Sequence, residues 1–244
     1  MIGAGAKLVG KLIRLPLKLV PALKPMRILS GPLAGKRWLS TSGTHGCWLG
    51  TYEIGLQREL AKVLGQGDVF YDIGANVGFF SLLAATRGAR VVAFEPLERN
   101  VELLGRNMAL NHLGDVVMLV QSAVARESGK ALFASERSAS MGQLSSTHGV
   151  EVSVLALDDF IAAENARAPT VIKMDIEGAE SEALVGAQEL LRTHRPAIYL
   201  STHGWQQNHA CWSLLESLGY RMELRKDGAR DGQYEVVARA TPLA

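Results

Sequence analysis

Residues 68–96 read DVFYDIGANVGFFSLLAATRGARVVAFEP, and their pattern decides the fold. Val69 to Ile73 is a short apolar run of β-formers, the length of a buried parallel strand. Gly74 and Gly78 flank a turn, where a missing Cβ permits unusual dihedrals and close backbone approach to a ligand. From Asn76 to Thr86, Val77, Phe80 and Leu83/Ala84 recur at helical spacing; Gly88 then stops the helix, and Arg90 to Phe94 supply a second strand. Glu95 stands 23 positions beyond Asp72, where a carboxylate can take both hydroxyls of a ribose. Strand, glycine turn, helix, strand and acid together describe a nucleoside-cofactor site.

The turn selects among such cofactors. A pyrophosphate sits on exposed amides at a helix N-terminus and usually requires G-x-G-x-x-G. Here the pattern is D-x-G-x-N-x-G, with Asn76 where the middle glycine would stand. A side chain there crowds a pyrophosphate but can hydrogen-bond the amino-acid end of a sulfonium cofactor. Asp72 adds negative charge near that ligand's positive charge. The reading is S-adenosylmethionine (SAM), held by Asp72, Gly74, Ala75, Asn76, Gly78, Glu95 and Pro96.

Working outward, 244 residues suit one α/β domain with a modest N-terminal addition, and 48% apolar with 20% charged residues is ordinary for a globular chain. Cys47 and Cys211 lie far apart without zinc-type spacing, which favours free thiols in a reducing compartment. The net charge of +2 hides an asymmetry. Residues 1–52 hold eight Lys/Arg and no acid, leaving 18 basic residues against all 24 acidic ones. An acidic body gives nucleic-acid binding no support.

The chain therefore divides into a basic N-terminal helix, linker and cap segment (1–52) and a catalytic domain (53–244). Lys7, Lys11, Arg14 and Lys18 make a narrow cationic stripe on an otherwise aliphatic helix that Pro16 kinks or interrupts. That pattern suits a membrane interface, a helix packed on the domain, or a flexible leader; four charges exclude a comfortable spanning helix. No small-residue cleavage site follows an apolar core, so the expected location is cytoplasmic, with peripheral contact at the inner face of the membrane through residues 1–20 as one reading. Residues 43–53, GTHGCWLGTYE, lead into an amphipathic helix at Gln57 to Leu64. That helix either covers the sheet's edge or delivers Tyr52 and Glu53 to the cofactor pocket.

Beyond Pro96 a helix runs to Asn111 and Val116 to Val120 forms a third strand, ending at Ser122 and Ala123, where an adenine edge would lie. Arg126 to Gly149 is a Ser/Gly-rich insertion, read as a lid or a solvated hairpin. Thr170 to Met174 is a further buried strand running into Asp175-Ile176-Glu177-Gly178. One helix follows from Ala179 to Leu191, then a strand at Ala197 to Leu200 ending in Ser201-Thr202-His203. Trp212 to Leu218 is helical, and Tyr220–Leu224 with Tyr234–Ala238 makes a hairpin around Asp227-Gly228. Five βα repeats and a terminal hairpin describe a mostly parallel sheet with one antiparallel strand.

Ligands in such sheets lie beyond the strands' carboxyl ends, which gathers Asp72, Glu95, Ser122, Asp175 and His203 on one rim. Methyl transfer is an in-line displacement that needs alignment and, for a hydroxyl acceptor, a base. His203 is the candidate base, against its reading as a strand-end histidine; Asp175 and Glu177 hold the cofactor's amino group, orient His203 or bind substrate. The same three side chains suit a divalent metal, but no further ligand stands at recognisable spacing, and none is expected.

G-T-Y-E (50–53), Y-D-I-G-A-N-V-G-F (71–79), F-E-P (94–96) and K-M-D-I-E-G-A-E (173–180) together resemble the FkbM family of SAM-dependent methyltransferases. The resemblance covers roughly residues 30–203. It implies the seven-stranded class I, Rossmann-like fold and transfer to a hydroxyl of a sugar, glycolipid or natural product. It also implies cofactor roles for Asp72, Gly74, Asn76, Gly78 and Glu95, and places Asp175, Glu177 and Glu180 at or behind the active site. Where the family often has a glutamate, this chain has Ser201 and His203. Methylation of an amine, a SAM-binding accessory protein and an NAD-dependent oxidoreductase are the competing readings.

Overall fold

A computed structural model describes residues 21–135, 142–145, 148–164, 166–225 and 232–242. The basic stretch 1–20 and the Asp227-Gly228 turn lie outside them. In chain order, β1 (Pro25–Arg27) and β2 (Arg37–Leu39) pair antiparallel as a small cap, followed by α1 (His45–Leu49) and α2 (Ile54–Val63). The first repeat is β3 (Val69–Ile73), α3 (Phe79–Thr86) and β4 (Arg90–Phe94); α4 (Glu98–Ala109) leads to β5 (Val117–Val120). Next come β6 (Ala123–Val124), β7 (Gly129–Ser135), β8 (Gly142–Ser145), β9 (Val150–Leu155) and α5 (Leu157–Glu164). The chain continues through β10 (Val171–Met174), α6 (Glu180–Val185), α7 (Gln188–His194), β11 (Ala197–His203), α8 (Trp205–Ser217), β12 (Tyr220–Leu224) and β13 (Gln233–Ala240).

The central sheet has seven strands in the order β12-β13-β11-β10-β3-β4-β5, and β13 alone runs against the rest. Strand alternation sorts its faces. Val69, Tyr71 and Ile73 enter one apolar cluster, with Ile172 and Met174 of β10; Phe70 and Val171 enter the other. Asp72 and Lys173 are register neighbours and therefore share the second face, beneath α3. Their position on that face governs much of the site.

The cap belongs to the same core. Trp38 is fully buried and meets Phe79 edge-on at 5.5 Å. Asn111 brackets the Arg37 backbone, accepting from its N–H at 2.8 Å and donating to its carbonyl at 2.7 Å; Asn107 accepts from the Leu39 N–H. Truncating a buried tryptophan of this kind costs ~3–5 kcal/mol.

One element follows an alternative of the sequence reading and another departs from it. Among the described residues of the 126–149 insertion the hairpin reading is met: β7 pairs antiparallel with β8 and β9, and β6 joins β9 in a four-stranded sheet. The helix after Glu177 breaks at Gly186, because Asp158 of α5 accepts hydrogen bonds from Glu189 N (3.0 Å) and Leu190 N (2.9 Å) and so starts α7 afresh.

Candidate active site

One cavity of about 1140 Å³ opens at the carboxyl ends of β3, β4, β10 and β11, closed on the cap side by Tyr52 and Glu53. Drug-sized ligands fill pockets of about 300–1,000 Å³, so this one has room for a cofactor and a second molecule. Three non-glycine residues on its wall, Glu53, Asn76 and Glu177, have positive φ (42°, 50° and 53°). Such conformations cost about 1–3 kcal/mol each and gather at functional sites.

At the β3–β4 end, the glycine turn is fixed mainly by packing. Gly74 has φ +77°, and a Cβ there would run into the carbonyl oxygen of Asp175. Gly78 has φ +86°, and its Cβ would lie 2.5 Å from Leu104 Cγ on α4. The N–H groups of Gly74 and Ala75 both donate to the Phe94 carbonyl at 3.0 Å, tying the turn to β4. Glu95 is buried yet on the wall, accepting from Asn76 N (3.0 Å), Leu97 N (3.1 Å) and Asn100 Nδ2 (3.0 Å). Burial raises its proton affinity and those three donors oppose the rise.

Of the residues expected to touch cofactor, Gly74, Ala75, Asn76, Glu95, Pro96, Ser122 and Ala123 line the cavity, whereas Asp72 and Gly78 do not. Gly78 is turned toward α4. Asp72 is 1% exposed; it accepts from Ser81 Oγ at 2.6 Å and lies 3.9 Å from Lys173 Nζ. Burial raises its pKa, with Lys173 and Ser81 opposing. The expected contact of Asp72 with the ligand is thus replaced by a supporting position, because strand alternation aims its side chain at α3.

At the β10–β11 end the site is built of charge. Lys173 is buried, 3.9 Å from both Asp72 and Asp175 and 5.5 Å from the centre of the Phe80 ring. Burial would lower its pKa, but Asp175 and Asp72 outweigh that and hold it as a cation. His203 Nδ1 lies 2.8 Å from Oε1 of the fully buried Glu180, which also accepts from Gly178 N at 3.0 Å. Its Nε2 faces Glu177 at 3.3 Å and Asp175 at 3.7 Å.

That surrounding works against the neutral imidazole that a base near neutrality needs. Burial disfavours the imidazolium, but the Glu180 hydrogen bond and the charges of Glu180, Asp175 and Glu177 override it and raise the pKa to about 9. Glu177 itself is shifted upward, mainly by burial.

Three charged cavity residues were missed from the sequence, Arg99, Lys173 and Glu235. A lysine inside an apolar strand, V-I-K-M, is the anomaly that marks Lys173. Glu235 comes from the antiparallel strand β13, opposite Ser201. Both its oxygens lie 2.9 Å from the Ser201 hydroxyl, and Gln233 Nε2 donates to it at 3.1 Å. Burial, joined by the charges of Glu53 and Asp175, raises its pKa to about 7 against the Ser201 hydrogen bond and Arg225. Tyr52 and Glu53, one of two options for the 43–53 segment, do reach the cavity wall.

The family model described as the methyltransferase FkbM domain matches residues 72–222. The hexuronic acid methyltransferase AglP of Haloferax volcanii is 26% identical over 138 residues, 56% of this chain and 56% of that protein. Methyltransferase 1 of Beauveria bassiana is 26% identical over 144 residues, 48% of this chain and 57% of that protein. The match thus spans little more than half the length of these curated relatives. Among solved structures, a methyltransferase FkbM from Methylobacillus flagellatus aligns with a TM-score of 0.51 at 18% identity, over 80% of this chain and 55% of that one. A SAM-dependent O-methyltransferase from Thermotoga maritima aligns with a TM-score of 0.51 at 13% identity, over 78% and 66%. At such identities the likeness establishes the fold, that of class I SAM methyltransferases. Among the described residues no helix is long and apolar enough to cross a membrane.

Proposed function

The chain belongs to the FkbM methyltransferase family; from that premise we propose that it is a SAM-dependent methyltransferase and transfers the methyl group to a hydroxyl of a saccharide, free or carried on a lipid. The acceptor oxygen attacks the sulfonium methyl in line, the carbon–sulfur bond breaks, S-adenosylhomocysteine leaves, and the hydroxyl proton passes to a carboxylate. Glu95, Asn76 and the turn hold the cofactor; Asp175, Glu177 and Lys173 position the acceptor. Glu235 takes the proton. A base works best with a pKa near working pH, and about 7 meets that condition.

The observation that carries this reading is the continuity of one cavity from the Glu95 turn to the Asp175–Glu235 group. Carboxylates and a fixed ammonium are the groups that bind the several hydroxyls of a sugar, and AglP is named for acting on a hexuronic acid. The stripe Lys7, Lys11, Arg14 and Lys18, outside the described residues, fits a glycolipid acceptor at an anionic surface. Incubation with methyl-labelled SAM and a panel of saccharides, glycolipids, phenols and amines, read by mass spectrometry, tests it. Label on a sugar oxygen supports the proposal. Label on an amine nitrogen, which the same carboxylates could hold as a cation, overturns it.

A further inference from the structure

Resting on that reading of the cavity's β10–β11 end, we propose that Asp175, Glu177 and His203 bind a divalent cation of the Mg²⁺/Mn²⁺ kind, beside which the acceptor hydroxyl docks. One ligand atom from each of these three residues falls within 4.8 Å of the other two.

The Nε2 separations are longer than a close hydrogen bond. Charge-assisted N–H···O contacts run about 2.7–2.9 Å. Nε2 lies 3.3 Å from Glu177 and 3.7 Å from Asp175, and the ring's close hydrogen bond is the 2.8 Å one from Nδ1 to Glu180. Ligand atoms held about 2.1 Å from one ion at octahedral or tetrahedral angles stand about 3.0–3.4 Å apart; the Glu177 separation falls in that range, and the Asp175 separation lies just above it.

Two further observations point the same way. Glu180, outside the trio and 0% exposed, engages Nδ1, as the carboxylate behind a metal-bound histidine does, and so turns Nε2 into the cavity. Its second oxygen, Oε2, and Asp175 Oδ1 are both buried without a hydrogen-bond partner, an arrangement that asks for more positive charge nearby. Two carboxylate oxygens and one imidazole form a predominantly hard ligand set, which suits such cations. Three protein ligands leave open positions for an acceptor oxygen, whose proton the ion's charge would loosen.

Titrating the full-length chain with Mn²⁺ in the presence of S-adenosylhomocysteine, followed by loss of the free Mn²⁺ paramagnetic resonance signal, tests the site. One saturable site is expected. Asp175→Asn, Glu177→Gln and His203→Ala should each weaken it at least ~10- to 100-fold, and Glu180→Gln by a similar factor through lost orientation of the ring. Glu182→Gln, an exposed carboxylate on the same helix, should leave it unchanged. Where a variant fails to fold, Mn²⁺ added to the unsubstituted chain should selectively broaden the His203 imidazole resonances, and unbroadened resonances would count against the site. No saturable binding, or binding that survives all three ligand substitutions, overturns the proposal. Full methyl transfer in excess chelator would overturn it too while leaving the methyltransferase reading intact. Absent transfer to hydroxyls with a filled Mn²⁺ site would do the reverse.

Discussion

The two ends of the cavity are built in opposite ways. The β3–β4 end comes from one stretch, Gly74 to Asn100, dominated by backbone demands: two left-handed glycines, two amides on one carbonyl, and a carboxylate fastened by three donors. The β10–β11 end draws on Glu53, Lys173, Asp175, Glu177, His203 and Glu235, which only the order of the sheet brings together. A site made by local geometry binds one shape of ligand. A site made by side-chain charge from separate segments can be retuned one residue at a time.

The sharpest way to break that division is Glu235→Gln. Methyl transfer should fall ~10²- to 10⁴-fold while S-adenosylhomocysteine affinity stays nearly constant, and the rate's rise through pH 7 should vanish. Calorimetry beside single-turnover timing decides; a large loss of cofactor affinity would mean the ends are not separable. Stability gives a second readout. The folded-state pKa of about 7 exceeds the ordinary 4.5, so the folded chain holds a proton that the unfolded chain releases between those values. This contribution is complete below pH 4.5 and disappears as pH rises through 7, up to ~3 kcal/mol, and Glu235→Gln should flatten that slope in denaturant titrations.

Gly74→Ala attacks the seam between the ends, since its Cβ would press on the Asp175 backbone from a left-handed conformation. A loss of ~2–4 kcal/mol, seen as a lowered melting temperature, is expected together with damage to both cofactor binding and transfer. Damage to one alone would show that the seam is softer than its geometry. Glu95→Ala should weaken S-adenosylhomocysteine by ~10- to 150-fold, the ~1.5–3 kcal/mol of charge-assisted hydrogen bonds, with the single-turnover rate at saturation little altered. Unchanged affinity would remove Glu95 from the cofactor site.

The smallest effect tests where the acceptor is presented. Residues 1–244 should co-sediment with anionic vesicles more than residues 21–244 do, by about 1 kcal/mol per basic residue at low salt, and the gap should shrink as salt rises. Equal sedimentation of the two would leave the acceptor to arrive from solution.

The local end was legible because its information is local. Strand, turn, helix and the Glu95 position all lie within 29 residues, and periodicity with glycine placement specifies them. Asp72 was legible as a position but not as a contact: alternation turns it toward α3, and its partner Lys173 is about a hundred residues away along the chain. His203 shows the same gap for chemistry. Its type suggests a free imidazole's pKa, but three carboxylates, two from the turn after β10 and one from α6, shift it upward. Glu235 gave no signal, since a polar residue in a terminal hairpin strand reads as a solvated edge until β11 is known to cover it. Likewise the break between α6 and α7 depends on Asp158, which no inspection of the helix itself could supply.

The stretch shared with the family, residues 72–222, is smaller than the body that folds. Trp38 and its neighbours lie before it and form one core with α3, while β13 lies after it and completes the sheet. The matched stretch thus leaves part of the cavity to its flanks. Tyr52 and Glu53 stand before it and Glu235 after it, and all three line the wall. A fragment cut to residues 72–222 would keep the glycine turn and Glu95 whole, yet it would lose one wall of the pocket together with the strand that carries Glu235.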